Sequence, residues 1–257
     1  MQNNYLPTDY QIFIATSRYA RWLDKELRRE TWGETVARYI ENVIKPTVKD
    51  KKTIDEIRDS ILNLGVMPSM RSLMTAGKAA SRDNTCMYNC SYLPVDDPKS
   101  FDEAMFILLC GTGVGFSVER QFISKLPDVP KLFESETTVV IRDSKEGWAK
   151  GLRQVLALLW AGEIPKWDTS KVRPAGARLK TFGGRASGPA PLVDLFNFAI
   201  TTFRGASGRK LSSIECHDLM CKIGEVVVVG GVRRSAMISL SNLSDDRMRH
   251  AKSGNWW

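Results

Sequence analysis

One stretch constrains the fold of this chain more than any other. Met87 to Leu93, which carries Asn89-Cys90-Ser91-Tyr92, reads as a short buried strand. Phe101 to Leu109 has helical spacing, and Gly115 to Glu119 reads as a second strand entered through Cys110-Gly111-Thr112-Gly113-Val114-Gly115. Strand, helix, strand is the unit of a parallel sheet, so the fold class is α/β. The same unit sets a cysteine beside the glycine turn that opens the next strand, an arrangement suited to a thiol held next to a bound phosphate.

The flanking segments divide the chain into a helical lobe over residues 1–66 and a mixed domain over 67–257. Apolar spacing predicts helices from Tyr10 to Arg28, from Thr35 to Ile44 with Pro46 as its stop, and from Thr53 to Asn63. Composition shifts at Gly65-Val66-Met67-Pro68-Ser69. Beyond it, Thr137 to Arg142 reads as a β-branched strand. A helix capped by Asp143 or Ser144 follows and continues to about Trp160. A strand near Lys166 to Val172 leads into a Gly/Pro/Arg loop from Arg173 to Pro189. Helices are expected at Leu192 to Phe203 and Leu211 to Cys221, and a strand at Ser235 to Leu240. The Glu225-Val226-Val227-Val228-Val229-Gly230 run has the length of a strand.

Composition narrows the partners. No apolar run reaches the roughly eighteen residues that a membrane span needs, and Met1 to Pro7 lacks the basic start and apolar centre of a signal peptide. Five cysteines, an odd number, point to reduced thiols in the cytoplasm rather than a disulfide framework. A net charge of +8 and a pI near 9.3 suit an anionic partner. No aromatic-basic stacking platform for single-stranded nucleic acid is present.

Each candidate site has a plain structural alternative. Cys90 reads as a redox-capable thiol or as a buried structural cysteine, the latter being common for this residue type. Cys86, four residues earlier, could share its face. Zinc is not expected, because only His217 and His250 are available and Cys216 with Cys221 lacks a two-residue spacer. The Gly111–Gly115 turn either offers backbone N–H groups to phosphate or simply reverses the chain; it is neither a Walker motif nor a dinucleotide fingerprint. The 173–189 loop, with Arg173, Arg178, Lys180 and Arg185, either contacts a polyanion or is solvated, and its length favours a functional loop. Arg233-Arg234 could contact phosphate or pair with buried acids.

Taken together, the motifs resemble the adenosylcobalamin-dependent, class II ribonucleotide reductases, and in particular the monomeric ribonucleoside-triphosphate reductases. The resemblance rests on Ser17-Arg18-Tyr19-Ala20-Arg21-Trp22-Leu23, Arg29-Glu30-Thr31-Trp32-Gly33-Glu34-Thr35-Val36 and Met67-Pro68-Ser69-Met70-Arg71-Ser72-Leu73-Met74-Thr75-Ala76-Gly77. It continues through Tyr88-Asn89-Cys90-Ser91-Tyr92, Arg173 to Gly184, and Val229-Gly230-Gly231-Val232-Arg233-Arg234-Ser235-Ala236. It implies the first half of the family's α/β barrel after the helical lobe. Cys90 becomes one of two thiols that reduce the ribose 2′-carbon, while Cys86 is structural. Ser72, Asn89, Thr112 and Gly113 become substrate contacts. Arg173, Gly176, Arg178, Lys180, Gly183 and Gly184 belong to a loop coupling a deoxynucleotide effector to base choice; Asp143, Ser144 and Lys145 match strongly without an assigned role. The resemblance further implies adenosylcobalamin as the source of a thiyl radical that abstracts the 3′-hydrogen. It also implies a ribonucleoside triphosphate substrate and a thioredoxin-like reductant. The family's radical cysteine, second redox cysteine, Asn/Glu pair and C-terminal shuttle cysteines would follow Trp257, so the chain is expected to be an N-terminal portion that works with a C-terminal reductase half. The competing expectation is a catalytically silent nucleotide-binding module. Neither a membrane nor a nucleic acid is an expected partner.

Overall fold

A computed structural model describes residues 5–178, 185–229 and 236–254. It forms two compact units, Met1–Asn89 and Cys90–Trp257.

In the first unit, helix starts are written in polar caps. Thr8 and Gln11 form a capping box for Asp9–Ile14, Thr31 and Glu34 another for Trp32–Tyr39, and Asp50 accepts from the Thr53 N–H to start Lys51–Leu62. Leu6, Trp32, Val36, Ile40, Ile61 and Leu73 close the core, and the Trp32 indole N–H donates to the Leu62 carbonyl at 3.1 Å. The helix expected from Tyr10 to Arg28 is much shorter. It ends in a π turn, Ala15–Tyr19, and gives way to an antiparallel ribbon pairing Trp22–Leu23 with Arg28–Arg29. Glu30 explains the break. Its buried carboxylate accepts from the Arg21 N–H at 3.0 Å and from the Arg38 guanidinium at 2.8 and 2.9 Å, folding residues 20–30 back across the helix that follows. Pro46 likewise does not end its helix: a π turn, Ile40–Ile44, leads into a last helical turn, Lys45–Thr47.

The second unit bears out the parallel reading. Strands Cys90–Pro94, Gly113–Ser117 and Met237–Leu240 lie in that order in one sheet, both pairings parallel. Helix Lys99–Leu109 makes the crossover between the first two. A second parallel pair, Phe133–Val140 with Glu163–Asp168, is bridged by helix Lys145–Trp160, for which Ser144 supplies the cap. Phe101, Phe116, Leu152, Phe196, Phe203 and Leu219 lie in the core that these elements share with helices Ala190–Gly205 and Ser213–Val229. The apolar run from Glu225 is therefore not a strand. Val226 and Val227 are buried in the final turns of a helix, where packing outweighs the weak helix preference of β-branched residues. The first strand also starts later than Met87, because Asn84–Met87 is a 3₁₀ turn.

Candidate functional site

Parallel register places Cys90 directly beside Gly113. Cys90 is exposed at the first position of its strand, and the next residue fixes the local geometry: the Ser91 hydroxyl donates to the Gly113 carbonyl at 3.0 Å. None of the five cysteines is in a disulfide. The glycine turn has a structural task of its own. Gly111 adopts φ +81°, the left-handed conformation that lets a helix end in a turn, and its N–H donates to the Leu108 carbonyl at 2.7 Å. The Thr112 N–H donates to the Ile107 carbonyl at 3.2 Å, and Thr112 is buried. Both donors are thus engaged with the end of Lys99–Leu109. Gly113 is left as the turn residue nearest the thiol.

Ser72 and Asn89 belong to the first unit. Ser72 sits in the first turn of Met70–Thr75, its N–H on the Ser69 hydroxyl at 3.1 Å, while Asn89 is exposed. Cys86 is buried, with its thiol on the Asp83 carbonyl at 3.2 Å, as a structural cysteine would be.

A separate cleft of about 130 Å³ opens where helix Lys145–Trp160 begins, walled by Asp143, Ser144, Lys145, Trp148, Arg173 and Ser187 among others. The Ser144 hydroxyl accepts from the Gly147 N–H at 2.9 Å, and the helix start brings its positive end to the cleft. The Arg173 guanidinium nitrogen Nε donates to both Asp143 carboxylate oxygens, at 3.0 and 2.8 Å. Lys145 Nζ lies 3.0 Å from the buried Cys110 sulfur and 4.6 Å from the Phe106 ring centroid. The loop beyond Arg173 folds back on itself through an Arg178–Arg185 bridge. Gly176 N–H donates to the Ala186 carbonyl and Ala186 N–H to the Ala177 carbonyl, both at 2.8 Å, and Arg185 reaches the Gly176 carbonyl at 2.9 Å. Gly176 takes φ +84° in that reversal. Lys180, Gly183 and Gly184 lie outside the described residues, as do Arg233 and Arg234. Sequence reasoning named the cap and the basic loop but missed Trp148 and the Cys110–Lys145 contact. Helical spacing could have placed Trp148 on the face of Ser144, whereas nothing local signals a contact spanning thirty-five positions.

Among the described residues no cluster of His, Cys, Asp and Glu is arranged to hold a metal ion, and no helix is long and apolar enough to cross a membrane.

Residues 125–202 match the family described as B12-dependent ribonucleotide reductase, insertion domain. The chain is 28% identical to the adenosylcobalamin-dependent ribonucleoside-triphosphate reductase of Lactobacillus delbrueckii subsp. bulgaricus over 297 residues, covering 88% of this chain and 40% of that protein. It is 29% identical to the enzyme of the same description from Lacticaseibacillus paracasei, covering 89% and 40%. A crystal structure of a B12-dependent (class II) ribonucleotide reductase superposes with a TM-score of 0.78 at 23% identity, over 93% of this chain and 42% of the other. The chain therefore spans about two fifths of the length of the relatives it matches. These likenesses bear out the resemblance read from the motifs, to the adenosylcobalamin-dependent ribonucleotide reductases.

Proposed function

We propose that this chain carries the first redox thiol and an effector cleft of an adenosylcobalamin-dependent ribonucleoside-triphosphate reductase, within the first part of the family's α/β barrel. The observation that carries the reading is the exposed Cys90 at the head of a parallel strand, in register with Gly113. Gly113, beside the thiol, is the proposed contact of a ribonucleoside triphosphate, offering close backbone approach.

The chemistry assigned to Cys90 balances. Replacing the ribose 2′-hydroxyl by hydrogen consumes two electrons and two protons; two thiols supply them, leaving one disulfide and one water. Cys90 is one of these thiols, and its partner belongs to the proposed C-terminal reductase half. A thioredoxin-like dithiol then returns the disulfide to two thiols by exchange. Adenosylcobalamin, when bound, supplies the radical that starts the reaction. Among the described residues no cluster of His, Cys, Asp and Glu is arranged to hold its metal ion. No step here is routed through it. The proposed setting is the reducing cytoplasm.

The cleft at Ser144, about 130 Å³, has room for a phosphate group and is the proposed phosphate end of a deoxynucleotide effector site. A helix N-terminus, Lys145 and Arg173 favour phosphate, and Trp148 offers a flat apolar face to a base. The cleft also supports the second reading, a nucleotide-binding module without turnover. Joining the chain to the remaining sequence of a relative separates the two: the reductase reading expects deoxynucleotide formation with adenosylcobalamin and dithiol, and its loss in Cys90→Ser, since no disulfide can form.

A further inference from the structure

Helix Ser213–Val229 carries a thiol, an imidazole and a carboxylate that the reductase chemistry above does not use. Residues four apart on a helix are surface neighbours, and here Cys221 Sγ lies 3.5 Å from His217 Nε2. The other ring nitrogen, Nδ1, lies 2.9 Å from the Asp218 carboxylate oxygen. That contact gives Nδ1 the hydrogen and leaves Nε2 to accept from the thiol, the nucleophile–base–orienter order of activated thiols on unrelated proteins. His217 is held in place by the sheet beneath, its ring 6.2 Å from that of Phe116. Cys221 is exposed, so the thiol is reachable from solvent.

We propose that Cys221 is an activated surface thiol, a site of reversible mixed-disulfide formation with small organic disulfides, with His217 as its proton acceptor and Asp218 as the group that orients the ring. In the step, the Cys221 proton moves to His217 Nε2 and the thiolate attacks one sulfur of the disulfide. The new S–S bond forms as the old one breaks, and the departing thiolate takes up the proton from the imidazolium. No electrons are gained or lost overall, and the disulfide is the only co-reactant. Cys216 supplies the contrast. It is fully buried one turn away, and burial pushes its thiol up to about 12, so the same helix holds one reactive and one inert cysteine.

The test treats the 257-residue chain with hydroxyethyl disulfide, a small neutral reagent, and follows adducts at each cysteine by peptide mass spectrometry. An adduct is expected at Cys221, removable with dithiol. Its rate of formation should fall about tenfold in His217→Gln, which removes the ring nitrogen that takes the thiol proton. Asp218→Asn, at an exposed position, should slow it by a smaller factor. Modification of Cys216 reports unfolding, so a variant that leaves Cys216 unmodified is a valid comparison. An unchanged Cys221 rate in Asp218→Asn and in a folded His217→Gln would overturn the proposal, as would the absence of any Cys221 adduct in the wild-type chain.

Discussion

Three helical glycines can be replaced by alanine with opposite expected outcomes, and the sign depends on space rather than on helix preference. Alanine is favoured over glycine by up to about 1 kcal/mol inside a helix. At Gly33, in Trp32–Tyr39, an added Cβ meets nothing within 4 Å, so Gly33→Ala should stabilise by a fraction of that amount. At Gly147 the Cβ would stand 2.3 Å from the Arg142 carbonyl oxygen, 2.8 Å from its Cβ and 2.9 Å from its carbonyl carbon. Those are mostly backbone atoms. They can withdraw only by moving residues 142–144, which carry the Ser144 cap and the Asp143 partner of Arg173. Overpacking of this kind costs about 1–3 kcal/mol and outweighs the helix gain, so Gly147→Ala should be net destabilising. Gly151→Ala lies between: its Cβ would be 2.4 Å from Ile141 Cδ1, the end of a side chain that can rotate aside at modest cost. Urea unfolding read by tryptophan fluorescence, on the transition of the unit that holds each residue, gives the order directly. A Gly147→Ala chain as stable as wild type, with an unchanged denaturant slope, would refute the close approach at the start of this helix.

The remaining expectations follow from charge and contact. Arg38 donates to both Glu30 oxygens and to the carbonyls of Leu73 at 2.7 Å, Ala76 at 3.0 Å and Tyr19 at 3.1 Å. Arg38→Met leaves the buried Glu30 carboxylate without its countercharge and should destabilise the first unit by about 3–5 kcal/mol; thermal or urea unfolding of the variant checks it, and near-neutrality contradicts the network. The Arg209 guanidinium, bonded to both oxygens of Glu215 at 2.7 Å, holds that carboxyl at about 2, below its ordinary 4.5. Because the folded-state value is depressed, the stabilisation is present above about pH 4.5 and lost as pH falls toward 2. Glu215→Gln should therefore be less stable than wild type at neutral pH and match it near pH 2 in acid-titrated unfolding. In the cleft, Arg173→Ala should weaken deoxynucleoside triphosphate binding by about tenfold, the worth of a charge-assisted phosphate contact, as read by equilibrium dialysis; unchanged affinity moves the effector elsewhere.

The parallel sheet was legible because its signals are local: a strand, a helix of eleven residues and a glycine turn, in the order a crossover requires. The cap at Ser144 was legible for the same reason. What escaped was set at longer range. The Tyr10 to Arg28 periodicity is broken by a buried Glu30 that reaches back nine residues to Arg21, and no spacing rule anticipates that contact. The valines after Glu225 look like strand residues by type, yet they end a helix because Val226 and Val227 complete a core assembled from distant elements. At the candidate site, residue types pointed to Cys90 and the glycine turn, but only the register shows Gly113 to be its neighbour and only the hydrogen bonds show Gly111 and Thr112 engaged with a helix end.

The central claim is that Cys90 delivers electrons, and counting products per protein tests it most directly. The chain joined to the remaining sequence of a relative, supplied with adenosylcobalamin, a ribonucleoside triphosphate and dithiol, should form many deoxynucleotides per molecule. Its Cys90→Ser form should stop before one. Steady multiple turnover by the serine variant would show that the thiol beside Gly113 is not the one that reduces the ribose.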